Sequence, residues 1–151
     1  MIGPTLVVGM VAGMTAVALI GWCWTWFRRR SLARRTVRRV EQQFAGAKVL
    51  AMAPSAFFCG MERSWDRQWQ GFGVLLLTRD MMYFRSWQRN LDLMVALDRI
   101  VDAAASCEER FGLALYGHLR IAYRGMDDSV RVATWRVERA HHWLELMGGR
   151  R

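Results

Sequence analysis

The apolar and polar positions fall into three textures along the chain. Residues 5–27 form a run of 23 without a charge. As a helix rising 1.5 Å per residue it would be roughly 34 Å long, against a bilayer core of about 30 Å, so the pattern predicts a transmembrane helix. The basic residues follow the run instead of preceding it, the reverse of a cleaved signal peptide, so an anchor is expected. Beyond it, Ala33, Val37, Val40 and Phe44 recur at three- and four-residue steps, and no Pro intervenes before Gly46. That spacing predicts a helical stalk over residues 28–47.

After Gly46 the period drops to two. The clearest strand pair is 119–124 with 129–135: Leu119, Ile121 and Tyr123 oppose Arg120, Ala122 and Arg124, while Val130 and Val132 oppose Arg131 and Ala133. Gly125, Met126, Asp127 and Asp128 supply the turn between them. Residues 74–78 and 81–85 flank Arg79 and Asp80 and read as a tight hairpin. Further strands are expected at 49–58, with Pro54 marking a bend or edge, and at 91–96 and 100–106. The count reaches about seven. Helical spacing returns at Ala140, Trp143, Leu144 and Met147, and Gly148 with Gly149 ends the run.

Charge sharpens this division. The chain has 151 residues and a formal net charge of +9. Arg28, Arg29, Arg30, Arg34, Arg35, Arg38 and Arg39 lie in the stalk without an intervening acid, and Arg150 and Arg151 follow the body. These nine account for the excess, so the folded body is balanced, which argues against nucleic-acid binding. Positive flanking residues stay on the inner side of a membrane, which places the N-terminus outside and the body in the cytoplasm. Trp22, Trp24, Trp26 and Phe27 suit an interfacial belt. Gly9 and Gly13 form a GxxxG step, Gly21 lies further along the same ridge, and Val17 interrupts it; the three glycines are candidates for helix pairing. Usage of 21 Arg against the single Lys48 suits a GC-rich bacterial genome, and hence a bacterial inner membrane.

Catalytic chemistry finds little support. Cys23, Cys59 and Cys107 show no CxxC spacing. His141 and His142 point about 100° apart on a helix, poor geometry for one metal, and His118 has no neighbouring nucleophile or carboxylate motif. Gly71-Phe72-Gly73 leads into a strand and lacks the rest of a phosphate loop. No catalytic residue, metal site or cofactor is expected.

The run Gly73-Val-Leu-Leu-Leu-Thr78, then Met82-Tyr-Phe84, Val95-Ala-Leu-Asp-Arg-Ile100, Leu119-Arg-Ile-Ala-Tyr123 and finally Trp143 resemble the GRAM or bacterial pleckstrin-homology-like (PH-like) domains. The resemblance covers residues 48–147, with a tail at 148–151. It implies a seven-stranded antiparallel barrel or sandwich capped by a C-terminal helix, with Trp143 as the structural Trp of that helix. Domains of this kind are generally non-catalytic binding or scaffolding modules. Lipid-binding members resemble one another in a basic first loop, whereas here Arg63 and Arg67 are offset by Glu62 and Asp66. Trp65 and Trp69 in that loop, with the stalk arginines, are the candidate lipid-surface residues.

The resulting expectation is a membrane-anchored α+β protein: an anchor over residues 1–27, a basic stalk, and a PH-like domain. It would act as a non-enzymatic scaffold or assembly factor that binds a protein partner or its own copy. Two alternatives stand beside it, a sensor of anionic lipid and an accessory subunit of a membrane enzyme or transporter.

Overall fold

Apolar residues alternating with polar ones, broken by turn formers, give seven strands between two helices. The computed structural model describes the backbone of residues 4–62, 70–110 and 113–148, and the side chains of these except 4–20, 25, 26, 29, 107–110 and 113–115. Helix α1 (Pro4–Gln43) is followed by β1 (Val49–Glu62), β2 (Gly71–Thr78), β3 (Met81–Ser86) and β4 (Asp92–Ala96). A 3-10 turn (Leu97–Arg99) then leads into β5 (Ile100–Arg110), β6 (Leu113–Arg124), β7 (Val130–Glu138) and helix α2 (Ala140–Gly148). The strands pair antiparallel in the order β4-β3-β2-β1-β7-β6-β5. Two meanders, β1–β4 and β5–β7, are thus joined by the pairing of β1 with β7.

Local chemistry fixes the register. The β2–β3 hairpin lacks the favoured Asn-Gly, and the Thr78 hydroxyl compensates: it donates to the Met81 carbonyl at 3.1 Å and accepts from the Met81 N–H at 3.1 Å. Pro54 falls where β1 slips against β2, between Ala53 and Ala56, because its ring removes a ladder donor. Gly60, at φ 122, lets β1 bulge against β7 and continue to Glu62.

The inner face of the bent sheet holds the main core. Phe58, Phe84 and Trp135 meet there, with ring centroids 5.4–6.3 Å apart. Trp143 of α2 closes the same cluster. A second, smaller core lies on the outer face, where Val74, Leu76 and Tyr83 pack against Val40 and Phe44 at the end of α1. The Tyr83 hydroxyl donates to Gln43 Oε1 at 3.4 Å, and Phe44 meets the Tyr83 ring at 5.0 Å. The stripe seen in the sequence therefore docks on the sheet, and burial of Val40 and Leu76 contributes about 1.5–3 kcal/mol each.

The structure corrects the expected membrane-anchored fold class. Among the described residues no helix is long and apolar enough to cross a membrane. The physical reason lies in the described surface of α1: from Gly21 onward it presents exposed Trp22 and Trp24 and then the arginines that begin at Arg28. An Arg at a bilayer centre costs roughly 2.5–3.5 kcal/mol. The uncharged side chains of residues 5–20 lie outside the described residues. The single-pass topology and the inner-membrane address built on the anchor fall with it. Of the expected barrel or sandwich, the structure has one seven-stranded sheet that ends at β4 and β5, which do not pair with each other among the described residues.

Candidate functional site

Register brings Phe57 of β1 opposite Phe72 of β2. Since Phe58 points into the core, Phe57 points to the outer face, and the Phe57 and Phe72 rings meet edge to face at 5.0 Å. Trp87, just past β3, donates its backbone N–H to the Phe72 carbonyl at 3.0 Å. Its ring stacks on Phe72 at 5.4 Å with a 19° interplanar angle. On the inner face behind it, Gly73 lets the Phe84 ring lie close against β2, because a Cβ there would strike that ring and the Arg85 carbonyl oxygen.

Across β1 the ledge continues to the second meander. Ser55, Phe57, Phe72, Tyr116 and Arg136 line a shallow depression of about 390 Å³. The Arg136 guanidinium lies 5.6 Å from the Tyr116 ring centroid, and the Tyr116 hydroxyl donates to Glu138 Oε1 at 3.2 Å. Burial, and then that hydrogen bond, push the Tyr116 phenol above its ordinary pKa, so it stays a donor at neutral pH. Phe72 is 41% and Tyr116 40% exposed. Aromatic rings and Arg held open on a paired sheet are the residue types that dominate protein interfaces.

Groups capable of proton or metal chemistry are scattered. Among the described residues no three His, Cys, Asp or Glu side chains could share a metal ion. His142 meets Glu145 at 3.3 Å on the exposed side of α2. Asp127 accepts from the Ser129 hydroxyl at 2.7 Å and from Arg131 Nη2 at 3.0 Å. These two contacts hold its carboxyl down at about 2, so it clamps the β6–β7 turn as a permanent carboxylate. Cys23 is exposed, Cys59 is half-buried and donates its thiol to the Phe57 carbonyl at 3.7 Å, and the Cys107 side chain lies outside the described residues.

The residues singled out by sequence do not converge on this ledge. Arg28, Arg30, Arg34, Arg35, Arg38 and Arg39 are exposed on α1, and the side chain of Arg29 lies outside the described residues. Thr36, Val37 and Val40 face the sheet from the same helix, leaving the arginines away from the packed stripe. Trp65 and Trp69 fall in residues 63–69, outside those described, as do the surroundings of Gly9 and Gly13. Gly21 has nothing within 4 Å of where a Cβ would sit. Trp143 is buried under the sheet. The ledge itself was missed because, apart from Ser55 and Phe57, its members lie 15 to 81 positions apart; the one local signal is Phe57 out of phase with the inward Phe58.

No family model matches the chain, and no curated protein does. Among solved structures the chain is similar to the C-terminal domain of an unknown protein from Leishmania infantum, at 17% identity and a TM-score of 0.46, over 76% of this chain and 94% of that one.

Proposed function

We propose that the chain is a non-enzymatic, PH-like protein-binding module, a scaffold or assembly factor that offers the outer-face ledge to a protein partner. The observation that carries this reading is the Phe57–Phe72–Trp87 stack, held in place by paired strands and left partly open beside Arg136. Rings already fixed by a sheet lose little side-chain freedom on association. The PH-like part is supported by two antiparallel meanders followed by a helix whose Trp143 packs into the main core.

Affinity capture with the full chain, beside a Phe72→Ser/Arg136→Glu variant, tests this reading. One protein should be recovered with the parent and reduced about tenfold with the variant, at unchanged unfolding midpoint. Charge reversal of Arg34, Arg35, Arg38 and Arg39 should leave the capture intact. Equal recovery by parent and ledge variant contradicts the reading, and loss only on Arg reversal points to an anionic surface instead.

A further inference from the structure

The sheet ends at β5, and that edge borders a large open groove. A groove of about 980 Å³ lies between the start of β5, the β2–β3 turn, the 3-10 turn and the end of α2. Its apolar lining includes Leu97, Leu144 and Met147, all half-buried. Its rim carries Asp80, Asp98 and Asp102 against Arg79, three carboxylates to one guanidinium, an excess of two negative charges. Asp102 also neighbours Arg120, whose guanidinium is already held by Glu62 at 3.0 and 3.1 Å.

Among the described residues no strand pairs with the outer edge of β5. Antiparallel pairing with β6 uses one side of β5, and alternate N–H and C=O groups point away from it. Protected edges carry Lys, Pro or inward charges; β5 has its charged residues at Asp102 and at 108–110, and between them reads Ala103-Ala104-Ala105-Ser106, four small side chains that leave the backbone accessible. α2 is held close as a wall: Gly117 of β6 has no room for a Cβ, which would strike the Ser106 carbonyl oxygen and come within 3.0 Å of Ala140 Cβ.

We propose that the free edge of β5 and this groove take an extended peptide from a partner protein, with apolar side chains alternating with basic ones. The peptide adds as a strand to β5, its apolar residues fill the space against Leu97, Leu144 and Met147, and its Lys or Arg meet Asp98 and Asp102. The proposal rests on the protein-binding reading for its class of partner but uses a different surface from the ledge.

The test selects binders of the full chain from a displayed library of random dodecapeptides and measures synthetic versions by fluorescence anisotropy. Selected sequences should alternate apolar residues with Lys or Arg. Their affinity should fall about tenfold or more with Asp98→Lys/Asp102→Lys, which alters only rim side chains, and stay within about twofold with Phe72→Ser. N-methylation of alternate peptide amides should abolish binding to the unaltered chain, a control independent of any variant's folding. The proposal is overturned if no sequence is selected, if affinity survives both the Asp reversal and N-methylation, or if sedimentation shows that a second copy of the chain occupies the β5 edge. Loss with Phe72→Ser alone also overturns it, while leaving protein binding through the ledge standing.

Discussion

Strand β2 is buried on both faces from Gly73 to Thr78, whereas β6, across β1 and β7 in the same sheet, buries Leu119, Ile121 and Tyr123, turns Arg120 to solvent and covers only the small Ala122 on that outer side. Both contribute to one inner core, so the difference lies in what covers the outside. α1 lays Val40 and Phe44 over the first meander, while the outer face of the second carries Arg120 bound to Glu62 and Arg136 over Tyr116. An uninterrupted apolar run in an antiparallel sheet therefore marks a second layer, and clean alternation marks its absence. The ledge lies where the cover stops, which is why its rings are apolar yet open.

Substitutions can break or sharpen this contrast. Leu76→Ala, on the outer face under α1, should lower unfolding free energy by about 2–5 kcal/mol in denaturant titration; a loss near zero would mean that α1 does not cover β2. Val40→Ala removes the matching residue of the helix and should cost about 1–2 kcal/mol in the same measurement. On the solvated half, Arg120→Ala breaks an exposed ion pair and should change stability by only about 0–1 kcal/mol. Smallest is a pH effect at the β6–β7 turn. The Asp127 carboxyl is depressed from 3.8 to about 2 by Ser129 and Arg131, so its contribution is full above 3.8 and is lost as pH falls toward and through about 2. A carboxyl carbon NMR titration should find its midpoint near 2, and a midpoint at 3.8 would remove the clamp.

Much of the sheet was legible because strand periodicity is local. The alternation at Leu119–Tyr123, the Arg79-Asp80 turn and the Trp143 helix all express physics within a dozen residues. β1 and β5 run past their expected ends, at Glu62 and Arg110, because pairing to neighbours extends a strand beyond its own pattern. The stripe Ala33-Val37-Val40-Phe44 was legible as helix, but not its partner, since Val74 and Leu76 belong to a strand some 30 residues away. The ledge and the β5 groove require the pairing order before Phe57 can be placed beside Phe72, or Asp98 beside Met147. Absence of charge over residues 5–27 predicts an anchor, yet the described part of α1 is rich in arginine and holds no span of sufficient apolar length.

The central claim is that the open ledge around Phe72, not the outer face around Arg120, meets a protein. Site-specific photocrosslinking tests it directly, with a photoreactive residue placed in the full chain at Phe72 or, as the control, at Arg120. The account predicts one protein adduct from position 72, absent from position 120 and suppressed by Arg136→Glu. Matching adducts from both positions, or no protein adduct from position 72, would contradict it.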